Sequence, residues 1–154
     1  MKGDKQVLEQ LNLRLAEELT AINQYIVHAE MCENWGYHKL HEAIQKRAIQ
    51  EMKHAERIIE RILFLEGTPI VSKLNQINIG KDVEGQILSD YEAEKVAVKG
   101  YNESMRISSE AGDNGTRELF KSNLQDEEKD VDWIEAQMDQ IKQMGIQNYL
   151  SQQT

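Results

Sequence analysis

The 154-residue chain contains one cysteine, Cys32, and one proline, Pro69. A lone cysteine excludes a disulfide within the chain and leaves a thiolate metal site without partners. Cys32 is read as a packed or interface thiol, the usual place of a free cysteine. A single proline and only nine glycines suit a helical protein. No apolar run approaches the ~18 residues of a membrane span, so no membrane partner is expected. The opening residues, Met1-Lys2-Gly3-Asp4-Lys5, lead into a polar amphipathic segment with no apolar signal region, and a cytoplasmic location is expected. A basic surplus is also missing. The net charge of −9 argues against nucleic acid as a partner, since phosphate binding needs a basic face. That charge draws in cations instead. The length suits a single domain, residues 1–154, with a real core.

Acids are present where apolar residues are expected. Between Tyr37 and Leu65, the residues Ile44, Ala48, Ala55, Ile58, Ile62 and Leu65 recur at helical spacing, and Glu51 falls on the same face. Glu51 and His54 are three residues apart, within reach of a common ion. Glu127 and Asp130 repeat that spacing inside the series Phe120, Leu124, Val131, Ile134, Met138, Ile141. Glu18 interrupts Leu8, Leu11, Leu15, Ile22, Tyr25, and Glu94 interrupts Val83, Ile87, Ala97, Tyr101. An ionised carboxylate in an apolar interior is costly unless a counter-charge or a metal meets it. Only Arg47 and Arg61 offer a cation on these faces.

The acids also reveal a repeat. Glu18 and Glu51 are 33 residues apart, as are Glu94 and Glu127 (51 − 18 and 127 − 94). Tyr25 follows Glu18 by seven residues and Tyr101 follows Glu94 by seven. Each half reads as a helical hairpin offering Glu, then Glu-x-x-His or Glu-x-x-Asp. Folded together, the halves bring Glu18, Glu51, His54, Glu94, Glu127 and Asp130 to one point, the arrangement of a dinuclear carboxylate site in a helix bundle.

In chain order, helix one is expected from an Asp4 N-cap to about Glu33. Asn34-Trp35-Gly36-Tyr37 forms a short turn, and helix two follows to about Glu66, stopping at Gly67-Thr68-Pro69. Gly67 to Lys81 is the one long connection. Fully extended it reaches ~50 Å, enough to traverse a helix of ~42 Å. Helix three opens at Asp82 and ends near Ala111 to Gly115, and helix four runs from about Thr116 to Met144. Ile146 to Ser151 is a short fifth helix, too small to stand alone and in need of a partner to pack on. The fold class is therefore all-α, a ferritin-like four-helix bundle with one long crossover and a short C-terminal helix.

The chain resembles the bacterioferritins over nearly its whole length. The resemblance is carried by Ala21-Ile22-Asn23-Gln24-Tyr25, Glu51-Met52-Lys53-His54-Ala55, Glu60 to Gly67, Asp126-Glu127-Glu128, Asp132-Trp133, and Met144-Gly145 followed by Gln147-Asn148-Tyr149-Leu150. It implies a cage of twenty-four subunits built from dimers, a di-iron ferroxidase centre in each subunit, b-type haem between paired subunits, and ferric mineral in the cavity. It also implies Glu18 and Glu94 as terminal ligands, Glu51 and Glu127 as bridges, His54 as the cap of one iron, and Tyr25 beside the centre. Met52 matches the axial haem ligand. Pattern alone would read Met52 as interface packing. It lies about 100° round the helix from Glu51, toward an outer surface that Leu19, Ile22, Ile26 and Ile49 could share.

Departures from the family are equally specific. The sixth ligand is normally histidine, and here it is Asp130. Aspartate is a good hard ligand but shorter and anionic, so one iron is expected to be held differently: by a longer reach, a bridging water or no contact. Lys46, Arg47 and Gln50 speak against an accessory iron site on the cavity side of helix two. His28, His38 and His41 have no ligand spacing. Asp90 and Asp126 are read either as acceptors that orient ligands or as solvated acids. Tyr25 and Tyr101 are read either as redox-linked or as core tyrosines bonded to buried carboxylates.

The expected function is oxidation of Fe(II) with O2 or H2O2 and storage of the ferric product, making the chain a ferroxidase. The alternative is a storage or haem-bearing subunit, its centre impaired by Asp130, in a mixed cage with a second subunit type. A smaller DNA-protecting relative is disfavoured by the ligand set within one chain and by the fifth helix. A small ferredoxin is the partner the resemblance implies for iron release.

Overall fold

The computed structural model describes residues 1–154 and contains only helices: α1 Lys5–Asn34, α2 His38–Phe64, α3 Val83–Glu110, α4 Asn114–Met144 and α5 Ile146–Ser151. Aspartates start three of them. Asp4 accepts from the Gln6 and Val7 amides at 2.8 and 3.2 Å, Asp82 from Gly85 at 2.8 Å, and Asp113 from Thr116 at 2.9 Å. Each cap is worth about 1 kcal/mol. Because Asp113 is the cap, Asn114 and Gly115 form the first turn of α4, two residues earlier than the sequence predicts.

Helix α2 stops at Phe64, not Glu66. The Glu66 amide bonds back to Leu63 O at 3.0 Å and the Gly67 amide to Ile62 O at 2.9 Å, and Glu66 itself takes the left-handed φ of 60°. The glycine is needed one position later for space. A Cβ on Gly67 would lie 2.5 Å from Leu8 Cδ2 and 3.1 Å from Ile62 Cγ2.

The crossover between α2 and α3 climbs the side of α1. Asn12 holds its start, donating to Thr68 O and accepting from the Ile70 amide. Thr20 then accepts from Asn75 N, Gln24 from Asn78 N and His28 Nε2 from Gly80 N, at 2.8, 3.1 and 3.0 Å. Thr20, Gln24 and His28 recur every four residues on one stripe of α1, so a strand-like segment without a sheet finds its backbone partners there.

Helix α1 pairs with α2 and α3 with α4, and the two hairpins join through α1 against α3 and α2 against α4. Two apolar clusters fill the bundle. One contains Val7, Leu11, Ile58, Ile62 and Phe120; the other contains Ala29, Leu40, Ile44, Ile87 and Ile134. Fully burying each Val, Leu, Ile or Phe side chain contributes roughly 1.5–3 kcal/mol. The acids singled out in the sequence lie at mid-height, between the two clusters. Helix α5 packs on its own bundle: Tyr149 is fully buried, its hydroxyl donates to Gln137 Oε1 at 2.7 Å, and the Lys39 amide bonds to Gln153 O at 3.0 Å. Cys32 is likewise buried, its thiol donating to Gln86 Oε1 at 3.3 Å.

Candidate metal centre

Each long helix delivers acids to the same level. Glu18 comes from α1, Glu51 and His54 from α2, Glu94 from α3, and Glu127 and Asp130 from α4, none more than 8% exposed. Their donor atoms form two overlapping groups, Glu18, Glu51, His54, Glu127 and Glu51, Glu94, Glu127, Asp130, with all atoms in each group within 4.8 Å of one another. Glu51 and Glu127 belong to both. Asp130 is thus brought into the cluster despite its shorter side chain.

His54 turns Nδ1 toward the acids, 3.1 Å from Glu51 Oε2, 3.1 Å from Glu127 Oε1 and 3.5 Å from Glu18 Oε1. Its Nε2 lies 2.9 Å from Asp126 Oδ2, so Asp126 fixes the ring with Nδ1 facing inward. Asp130 is held from the opposite direction: Gln50 Nε2 donates to its Oδ2 at 2.8 Å.

The tyrosines cross between the hairpins. Tyr25 of α1 donates to Glu94 of α3, and Tyr101 of α3 donates to Glu18 of α1. The seven-residue spacing seen in each half is this reciprocal bond. Burial pushes both phenols well above the usual tyrosine range, so each keeps its proton and donates. Asn123 Nδ2 donates to the Tyr101 hydroxyl at 3.2 Å.

Arg47 is one of the two cations the sequence offers on the acid-bearing faces, and it is 6% exposed and enters the cluster. Its Nη2 lies 3.0 Å from Glu94 Oε1, its Nε 3.7 Å from Asp130 Oδ1 and its Nη1 3.9 Å from Asp90 Oδ2, with the guanidinium 4.5 Å over the Tyr25 ring. The available signal was spacing: 47, 51 and 54 share one face of a helix. Arg61, the other cation on these faces, serves elsewhere, bonding Thr116 Oγ1 and Asp113 at 2.9 Å each.

The remaining histidines and acids separate cleanly. Asp90 accepts from Gln24 at 2.9 Å and lies 2.9 Å from His28 Nδ1, tying the crossover stripe together rather than orienting a ligand. His38 meets Glu33 at the surface, and His41 Nδ1 donates to Ala29 O at 2.9 Å. Met52 is 45% exposed, as is Ile49 one turn away. Ile26 is also exposed, whereas Leu19 and Ile22 pack partly against the core.

Electrostatics favour protons in this pocket unless cations enter. Burial pushes Glu18 and Glu127 well above the usual carboxylate range and raises Glu94. Burial likewise pushes Asp130 up to about 7 against the pull of Arg47. Glu51 is the exception: burial opposes its ionisation, but hydrogen bonds to Glu18 and His54 hold it at about 2. His54, which burial alone would lower, is raised to about 11 by Glu18 and Glu51. Four buried oxygens, Glu18 Oε2, Glu51 Oε1, Glu94 Oε2 and Glu127 Oε1, have no hydrogen-bond partner. Unpaired buried carboxylate oxygens on residues of the two overlapping groups fit divalent cations, whose binding displaces the protons.

A cavity of about 420 Å³ between α1, α3 and the crossover leads to the centre. Exposed Leu88, Glu92 and Val96 form its outer part, and Glu18, Glu51, Glu94 and Glu127 its floor. Glu17 stands in its wall, pushed up to about 7 by burial despite the neighbouring Arg14.

A family model described as a ferritin-like domain matches residues 8–144. The chain is 41% identical over 149 residues to the bacterioferritin of Rhodobacter capsulatus, covering 97% of this chain and 92% of that protein. It is 37% identical over 152 residues to the bacterioferritin of Mycolicibacterium paratuberculosis, covering 99% and 96%. It is 38% identical over 154 residues to a bacterial ferritin of Synechocystis, covering 99% of each.

Proposed function

The chain belongs to the bacterioferritins, and from that premise we propose that it takes Fe(II) as substrate and cargo, oxidises it at the buried acid cluster, and stores the ferric product in a cage. The observation that carries this reading is the pair of overlapping donor groups that share Glu51 and Glu127. In it Glu51 and Glu127 bridge two cations, Glu18 and Glu94 bind one each, His54 Nδ1 caps the first and Asp130 caps the second. Tyr25 stands beside the centre and holds Glu94. The ionised acids favour the more highly charged ferric state, and iron in turn offsets the burial of negative charge. O2 or H2O2 is the oxidant.

The cage is a cytoplasmic assembly of twenty-four single-domain subunits arranged as dimers. Met52 provides an exposed thioether beside exposed Ile49, a soft donor on an apolar surface that fits an axial haem ligand. One methionine from each of two subunits would hold a b-type haem, which when bound supplies a redox-active iron between them. A small ferredoxin would serve as reductant for iron release.

Arg47 beside Glu94 and Asp130 favours a second reading, a haem-bearing or storage subunit with a weakened centre that works beside another subunit type. Stopped-flow oxidation of Fe(II) by the metal-free cage under air separates the two. The first reading expects a saturable fast phase that falls by roughly tenfold or more in Glu127→Gln, since losing even an outer partner of a ligand costs that much. No fast phase in the native cage, with one appearing when a second subunit type is co-expressed in it, would establish the second.

A further inference from the structure

The two halves of the centre are related by a shift of 76 residues (94 − 18 and 127 − 51), which exposes where they differ. The shift carries Glu18 onto Glu94, Glu51 onto Glu127 and Tyr25 onto Tyr101. It also carries His54 onto Asp130, Gln50 onto Asp126, and Arg47 onto Asn123. Around the first half-site, Asn123 is a neutral donor to a tyrosine hydroxyl. At the matching place in the second half-site stands a guanidinium, 3.0 Å from Glu94 Oε1 and 3.7 Å from Asp130 Oδ1.

We propose that Arg47 is a tethered cation for the second half-site, so that the two half-sites hold divalent ions with unequal affinity and the second ion enters only by displacing Arg47 from Glu94 and Asp130. This inference rests on the reading of the cluster as a metal centre. Arginine stays charged at all accessible pH values. It therefore already meets the two carboxylates that belong to the second half-site alone, while Glu18 and His54 of the first half-site touch no arginine or lysine. A second ion faces the repulsion of that fixed charge at close range and must break its contacts. The stacking of Arg47 over Tyr25 and its approach to Asp90 give the side chain places to remain once it releases the two ligands.

The test is structural and independent of iron oxidation. Crystals of the native cage are soaked under argon with Co(II) at one and at several equivalents per subunit, and anomalous scattering locates the metal. At low loading one peak is expected among Glu18, Glu51, His54 and Glu127, with Arg47 still on Glu94; at high loading a second appears and Arg47 has moved. In solution, calorimetric titration with Co(II) should give a second site at least about tenfold weaker than the first, a gap that closes in Arg47→Leu. Two equal peaks at the lowest loading, or a second peak beside an unmoved Arg47, would overturn the inference and leave the metal centre intact. No Co(II) in either half-site would overturn the metal-centre reading itself.

Discussion

Removing the charge at Asp130 should reshape how the metal-free protein responds to pH. Burial pushes this carboxyl from its ordinary 3.8 up to about 7, with Arg47 pulling the other way. An acid whose pKa is higher folded than unfolded binds its proton more tightly in the native state. Its contribution to stability is therefore greatest below pH ~4, declines as pH rises, and is fully lost above about 7. At ~1.36 kcal/mol per pH unit the loss is ~4 kcal/mol, or roughly 10 °C of Tm for a chain of this size. Asparagine titrates nowhere and can still accept from Gln50. Between pH 4.5 and 8, metal-free Asp130→Asn should thus gain several kcal/mol relative to native protein, read by calorimetry at fixed protein concentration after chelation. Glu18, Glu51, Glu94, Glu127 and His54 also titrate differently folded and unfolded, and Glu94 and Glu51 feel the charge of Asp130, so the difference between the two proteins reports Asp130 together with the relief of these two neighbours. Excess Co(II) should reverse the sign, because bound metal requires Asp130 ionised. Parallel pH profiles for the two metal-free proteins would refute the placement of Asp130 in a desolvated pocket.

Other expectations concern single contacts. Asp126→Ala frees the His54 ring and should weaken Co(II) in the first half-site by roughly 10–100-fold; an unchanged titration would deny Asp126 its orienting part. Tyr149→Phe strands Gln137 Oε1 against α5 and should cost ~1–2 kcal/mol in urea unfolding, and no loss would mean that the tail is not anchored by this bond. Met52→Leu should yield cages of native size that lack haem absorbance after reconstitution; retained haem would place the axial ligand elsewhere.

The bundle and its acids were legible because both are written in period. Apolar residues at helical spacing marked four helices, and acids at mid-length on those faces marked the centre. The crossover's length was legible, but its path was not. Nothing in the spacing of Thr20, Gln24 and His28 announces that path, and only the folded chain brings amides 75, 78 and 80 against them. Arg47 was legible as a cation on a core face, but its partners were not, for a related reason. A long side chain near the edge of an apolar stripe can snorkel outward or turn in, and the choice depended on Glu94 and Asp130, which come from two other helices. The matched spacing of Tyr25 and Tyr101 was legible, but that each bonds the acid of the other hairpin is visible only in the folded chain.

The symmetry also changes what Asp130 means. Taken alone, aspartate at a position where relatives of this kind are expected to carry histidine reads as a lost ligand. In the folded chain it is one of three linked exchanges. Where the first half-site has an imidazole held by the acceptor Asp126, the second has a carboxylate held by the donor Gln50. Where the first has neutral Asn123, the second has cationic Arg47. Each exchange makes sense of the others: an acceptor at position 50 would repel Asp130, and an asparagine at position 47 would leave Glu94 and Asp130 without a counter-charge. Histidine restored at position 130 alone would meet a guanidinium and an amide in place of the carboxylate that orients its counterpart. The second half-site is therefore a consistent alternative built on the same backbone, and its properties belong to the set of three side chains rather than to Asp130.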